Sequence, residues 1–294
     1  MSEKFLYVSN DQTQQSKAVD MLCRCFDEWI DFSQQYGKCF PFHEESFIAV
    51  DDSENLLGHV GIMPFEIFYD NGKPLKVAGL ASVGVTPEAR NRNIAHNLCT
   101  LAGNWAEKQG FDLMLLYTGA ARVYEKSSWE CFTPPYTMLK NPEKSSAGCW
   151  KKGSELTEKE KAFIKECYQK SPLKSGMVLR SNDAKFFHSW HWMWQNPLNL
   201  WQVTENGYSI KIENVIAEIA GSLDRASIKE LTSGAEYTFL HPEHAANNVL
   251  HDLNWQTLEA AASPLCWHGE VAMCKVLNKA INAENIFMPL ADKF

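Results

Sequence analysis

The chain has 294 residues, of which 45% are hydrophobic, 12% aromatic and 22% charged; this balance excludes disorder as the main state and suits about two domains at roughly 100–200 residues each. Its net charge of −8, from 28 Lys and Arg against 36 Asp and Glu, excludes a general pull onto nucleic acid or an anionic membrane and favours a cationic substrate. No run approaches the roughly 18–20 apolar residues of a membrane span, and the opening residues lack a secretory leader's apolar core and cleavage site, so a cytoplasmic protein is expected.

In chain order, Ser9-Asn10-Asp11 would cap a first helix that ends before Gly37 and puts Val19, Leu22, Cys23, Phe26 and Ile30 on one face. Residues 56–64 and 65–69 read as strand, and residues 77–85 as the returning strand. Between them Asp70-Asn71-Gly72 supplies the positive φ angles of a tight hairpin. Pro87 stops that strand. A helix over residues 94–109 follows, with Ile94, Leu98, Leu101, Ala102 and Trp105 on one face and Gly110 as its C-terminal cap. A short apolar strand at 113–117 and a helical segment at 120–126 complete an α/β domain with a mixed sheet over residues 1–140. Residues 141–176 read as a linker with one helix. Residues 177–294 then repeat the strand, hairpin, strand, helix, strand order without visible sequence identity, with strands at 201–203, 208–212, 215–220, 237–240 and 272–277.

The stretch VGVTPEARNRNIAHNL, residues 83–98, carries the most chemistry. It joins a strand end to a helix start through a basic turn, which aims unpaired N–H groups and the positive end of the helix dipole at one point. A pyrophosphate would accept several charge-assisted hydrogen bonds there, with Arg90 and Arg92 adding charge. Read alone, the same stretch is equally a solvated helix start with two surface arginines.

Arg90-Asn91-Arg92-Asn93-Ile94-Ala95, preceded by Val83-Gly84-Val85-Thr86-Pro87, resembles the acetyl-CoA loop of the GCN5-related N-acetyltransferases, Arg/Gln-x-x-Gly-x-Gly/Ala after a strand and a proline. Asn93 replaces the central glycine, and it tolerates left-handed backbone better than other side chains do. Further on, Tyr124-Glu125-Lys126-Ser127-Ser128-Trp129-Glu130 resembles the family's Tyr-Glu-Lys-x-Gly-Phe-Glu segment. The resemblance implies that the backbone of Val83, Gly84 and Val85 pairs with the pantetheine arm beside a bulge. It implies that the amides from Arg92 to His96 meet the pyrophosphate, and that Tyr124 protonates the leaving thiolate, as a phenol that keeps its proton at neutral pH can.

A base for the attacking amine is less legible. Glu66 ranks first, with Asp27, Glu28 and His59 behind it. The long hairpin and the two-part length resemble the enhanced-intracellular-survival branch of the family, implying two tandem acetyltransferase domains. The second is a degenerate copy beginning near Arg180, with Leu253-Asn254-Trp255 at its "Gly-Phe" end. The implied function is N-acetyl transfer from acetyl-CoA to a primary amine of a small cationic molecule or peptide, by direct attack. The alternative is an inactive module that binds CoA or a partner protein. Trp190, Trp192, Trp194 and Trp201 read as interdomain core rather than an aromatic cage. The nine cysteines lack CxxC or zinc-finger spacing and read as reduced thiols, and neither they nor the histidines suggest a metal site.

Overall fold

Strand-forming runs dominate both halves. In the computed structural model, which describes residues 3–9, 12–36, 45–143, 148–180, 199–259 and 270–290, they assemble into two seven-stranded mixed sheets. The first half runs β1 (Lys4–Ser9), α1 (Gln12–Cys23), α2 (Glu28–Tyr36), β2 (Glu45–Val50), β3 (Leu56–Phe68), β4 (Pro74–Val85), α3 (Ile94–Lys108), β5 (Leu113–Thr118), α4 (Arg122–Glu125) and β6 (Glu130–Phe132). The second runs β7 (Thr137–Lys140), β8 (Lys151–Lys152), α5 (Glu158–Lys170), β9 (Asn199–Val203), β10 (Gly207–Ile212), β11 (Val215–Gly221), α6 (Arg225–Leu231), β12 (Tyr237–Leu240), α7 (Ala245–Asp252), β13 (Gln256–Thr257) and β14 (Val271–Val276).

The expected hairpin forms. A single 3-10 turn over Asp70–Gly72, with Gly72 at φ 75°, joins β3 to β4, which pair from Phe68 and Pro74 up to Gly58 and Val85. The expected first helix is instead two helices, because the chain turns between Cys23 and Glu28, and Ile30 is left exposed. Its proposed cap residues Asn10 and Asp11 lie outside the described residues. Helix α3 lays Ile94, Leu98, Cys99, Ala102 and Ala106 against Leu57, Val60, Ile62, Ala78 and Leu80 of the sheet. Each large aliphatic side chain buried there contributes about 1.5–3 kcal/mol. On the other face, α1 places Val19 and Leu22 in a smaller cluster with Phe26, Trp29 and Met63.

The sheets do not follow the division at residue 140 expected from the sequence. The first has the order β1-β2-β3-β4-β5-β14-β6 and the second β13-β7-β12-β11-β10-β9-β8. Relative to that division the sheets exchange a strand: β7, within residues 1–140, lies in the second sheet, and β14, within residues 177–294, lies in the first. Strand β14 pairs antiparallel with β5 along its whole length, Val271 opposite Thr118 through Val276 opposite Leu113. Strand β7 lies between β12 and β13. The 272–277 segment expected to serve the second half therefore completes the first. A local sequence pattern fixes that a segment is a strand but not which sheet edge it joins.

The halves also meet at the end of β3. The Phe68 and Leu179 amides donate to Met177 and Glu66 carbonyls, and the Gly176 amide donates to Phe68. Gly176 has φ +95°, and a Cβ there would lie 1.9 Å from the Phe287 carbonyl oxygen, so only glycine fits this crossing. Val178, Ile281, Ile286 and Met288 share a core with Ile67, Val77 and Leu115 of the first sheet. Trp201 is fully buried in β9, 6.2 Å from the Tyr208 ring; Trp190, Trp192 and Trp194 lie outside the described residues. Among the described residues the cysteines form no disulfide, no helix is long and apolar enough to cross a membrane, and no cluster of His, Cys, Asp and Glu is arranged to hold a metal.

Candidate active site

Strands β4 and β5 are parallel neighbours over three residues only, Val77 to Gly79 opposite Leu113 to Leu115. Beyond that they part. Three residues past the last pair, Ser82 on β4 and Thr118 on β5 stand at the same level on either side of the opening, about 10 Å along at 3.3 Å per residue. There β4 carries one extra residue: the register with β3 passes from Ala81 opposite Gly61 to Gly84 opposite His59, and Ser82 has φ 52°. This is a β-bulge, which twists a strand and re-aims its backbone groups. Val83, Gly84 and Val85 follow it. Val83 and Val85 pack toward α3, whereas Gly84 faces the other way, where a Cβ would lie 2.9 Å from Leu22.

After Val85 the chain turns through a 3-10 turn, Pro87–Ala89, and enters α3. Asn91 has φ 64°, and Asn93, which directly precedes the helix, has φ 58° and ψ 16°. Both asparagines thus hold left-handed backbone, the conformation that favours glycine or asparagine. The Asn93 side chain caps nothing and the first turn of α3 holds no acidic residue. The Asn97 amide is the one that bonds back to Asn93, so the amides of Ile94, Ala95 and His96 lie ahead of the intrahelical ladder, at the positive end of the helix dipole. Arg90 is exposed, its Nε 3.5 Å from the Val85 carbonyl. Arg92 is half-buried and pairs with Glu3 at 2.5 Å.

Tyr124 lies on α4, 7% exposed, in an edge contact with Trp129 at 6.1 Å. Burial pushes its phenol well above the ordinary value, the nearby Cys99 adds to this, and a hydrogen bond from Thr118 works the other way. The hydroxyl therefore keeps its proton at neutral pH, as a general acid must. Thr118 in turn accepts a hydrogen bond from the Ala120 amide at 2.9 Å. The loop and the tyrosine are tied together: Ser127, whose amide donates to Tyr124, places its Oγ 2.8 Å from His96 Nδ1. Ser128, at the family's glycine position, has φ 61°.

Glu66 is not beside this opening. It pairs with Lys76, six residues before Ser82 and so about 20 Å from the bulge along the strand. Strand β3 runs past the closed end of the opening into the junction between the halves, and an alternating pattern does not reveal such a register. His59 is close but engaged at both ring nitrogens, by the Ser82 carbonyl at 2.9 Å and Ser46 Oγ at 3.1 Å. Asp27 lies in the turn between α1 and α2, and Glu28 opens α2. One carboxylate escaped the sequence reading. Glu270 directly precedes Val271, the partner of Thr118, and by strand alternation shares a face with Ala272, the partner of Tyr117. Its charge raises the Tyr117 phenol further, after burial. No local signal marks it, because its place depends on the strand exchange.

Among its described residues the second half keeps the strand framework and puts other groups at the corresponding places. Strands β11 and β12 likewise pair in parallel over a short stretch, Val215 and Ile216 opposite Tyr237 and Thr238. Asn254, at φ 65°, precedes a buried Trp255 as Ser128 precedes Trp129. Four residues before Asn254, however, stands buried Leu250, where the first half has Tyr124. At the start of α6 the Asp224 carboxylate accepts from the Ser227 amide at 2.8 Å, so a negative side chain already holds that helix terminus.

Residues 10–132 match the family model described as an acetyltransferase (GNAT) domain. No curated protein matches the sequence. Among solved structures, the chain is similar to a GCN5-related N-acetyltransferase from Anabaena variabilis, at 14% identity and TM-score 0.62, over 94% of this chain and 74% of that one. A probable N-acyltransferase from Enterococcus faecalis matches at 15% identity and TM-score 0.62, over 95% and 73%. Eis1 from Mycobacterium abscessus matches at 13% identity and TM-score 0.59, over 94% and 74%. At these identities the likeness is one of fold, and it extends through both halves.

Proposed function

We propose that this chain, whose residues 10–132 are a GNAT acetyltransferase domain, transfers an acetyl group from acetyl-CoA to a primary amine of a small cationic molecule or peptide. The observation that carries the reading is the alignment of three features around one opening: the β4 bulge at Ser82, the uncapped amides of α3, and the buried, proton-holding Tyr124. Pyrophosphate would sit on the amides of residues 92–96 near Arg90 and Arg92, and the pantetheine arm would lie along the backbone of residues 83–85. The amine nitrogen attacks the thioester carbonyl carbon; the C–S bond then breaks and Tyr124 gives its proton to the departing thiolate. Glu270 replaces Glu66 as the candidate to receive the ammonium proton, on the support of its register beside Thr118 and Tyr117. The second half, with Leu250 and Asp224 at the equivalent places, shapes the acceptor side. The acidic net charge of −8 favours a cationic acceptor.

Calorimetric titration with acetyl-CoA tests the reading, run beside an Arg92→Glu/Ala95→Glu variant and followed by thiol release with a panel of amines. Saturable binding abolished in the variant, with thiol released to an amine, is the expected result. A second reading has one observation in its favour: the Glu3 carboxylate occupies Arg92, as it would in a module that no longer turns over CoA. Binding without thiol release to any amine would select it, and absence of binding would exclude both enzyme and CoA module.

A further inference from the structure

The bulge in β4 is held from outside its own strand. Ser82 sits at φ 52°, a conformation that serine adopts only where its surroundings enforce it. Across the ladder on β3, His59 is 2% exposed, with Nδ1 2.9 Å from the Ser82 carbonyl oxygen and Nε2 3.1 Å from Ser46 Oγ on β2. A carbonyl oxygen only accepts, so Nδ1 carries the ring hydrogen and Nε2 takes one from the Ser46 hydroxyl. One imidazole thereby ties three neighbouring strands to the backbone atom at the kink.

We propose that His59 is a positioning residue of the thioester site: its Nδ1–H holds the Ser82 carbonyl and so fixes the bulge that presents the backbone of residues 83–85 to the pantetheine arm. The role rests on the acetyl-CoA reading of the opening between β4 and β5. It also accounts for a histidine so deeply buried in a strand whose neighbours are apolar. Burial pushes the imidazole down to about 4, so the single-donor form persists at neutral pH. A proton shuttle would need a free nitrogen facing the acceptor, and both nitrogens are committed. Removing the donor leaves a carbonyl one bond short at the point where the strand departs from regular geometry.

The test compares His59→Leu, His59→Gln and Ser46→Ala in the full chain by amide hydrogen exchange, with residues 78–80 of β4 as internal reference, and by acetyl-CoA calorimetry. In His59→Leu, exchange at residues 83–85 is expected to rise at least about tenfold while residues 78–80 stay as in wild type, with acetyl-CoA affinity weakened by a similar factor. His59→Gln, whose amide nitrogen can still donate to Ser82, restores both to within about threefold of wild type. Ser46→Ala frees the ring to turn and raises exchange at 83–85 severalfold, which keeps the inference open to refutation where the leucine variant does not fold. Wild-type exchange at 83–85 in a folded His59→Leu protein, or in Ser46→Ala where it is the usable variant, overturns the inference. A wild-type protein that binds no acetyl-CoA refutes the reading of the site instead, and the exchange data still decide what His59 holds.

Discussion

Acid is expected to weaken this protein through two imidazoles, one in each half. His59 in β3 and His244 ahead of α7 are each pushed by burial from 6.5 down to about 4. His244 accepts from the Ala246 amide at Nδ1 and lies 3.1 Å from the Ile219 carbonyl at Nε2, so protonation costs it a cap as well as burial. Because both folded values lie below the unfolded one, the unfolded chain binds more protons between pH 6.5 and 4. Stability is intact above that window and falls as pH drops through it. At about 1.4 kcal/mol per pH unit, each imidazole is worth about 3 kcal/mol across the window and about 2 kcal/mol by pH 5. Together they remove about 4 kcal/mol between pH 7.5 and 5, a large part of the 5–15 kcal/mol that typically holds a domain together. Glu160, held at about 2 chiefly by Lys151, loses its contribution only as pH falls from about 4.5 to 2, below the range from pH 7.5 to 5. Urea unfolding at pH 7.5 and 5 measures the effect, with His59→Gln and His244→Gln as controls. Each variant should flatten the pH dependence by about 2 kcal/mol whatever it does to stability at pH 7.5. Equal pH dependence in wild type and both variants would show that neither imidazole is held neutral by the fold.

Three other outcomes follow from the site. Tyr124→Phe should lower kcat by about 10²-fold or more with acetyl-CoA affinity unchanged, whereas a matching loss of affinity would make Tyr124 a packing residue. Glu270→Gln should lower kcat/KM while leaving the Tyr124→Phe effect multiplicative, and full activity across pH 6 to 9 would remove it as proton acceptor. Gly58→Ala would set a Cβ 2.7 Å from Ile94 Cγ2 and 3.1 Å from Leu98 Cδ1. It should cost about 1–3 kcal/mol in urea unfolding and weaken acetyl-CoA binding, because Ile94 opens the helix that carries the loop.

Much of the fold was legible because its signals are local. The Asp70-Asn71-Gly72 turn, the apolar face of α3 apart from exposed Leu101, and the Gly110 cap at φ 73° each depend on residues within a few positions of one another. The turn from β4 into α3 and the helical segment that holds Tyr124 were legible for the same reason, and Asn93 and Ser128, which stand where the resembled motifs have glycine, hold the left-handed backbone that a glycine would. What escaped depends on distant pairings. Glu66 was misplaced because the register of a 13-residue strand is set by its neighbours, and Glu270 was missed because its sheet is not that of its own half. His59 was visible as a histidine in a strand. Its partners, Ser46 and the Ser82 carbonyl, meet only once β2, β3 and the bulge are assembled.

The exchange of β7 and β14 has a consequence for synthesis. Strand β6 reaches its place in the first sheet only through β14, since the two pair from Ala272 and Phe132 to Cys274 and Glu130. When the ribosome has made residues 1–132, the apolar edge of β5 is therefore still bare, and it stays so until residue 276 has been added, roughly 7–30 s later at 5–20 residues per second. For that interval the nascent chain displays an open strand edge of the kind that recruits foreign strands. The first half, which carries every residue of the proposed loop, thus reaches its final sheet only after nearly all of the second has been translated.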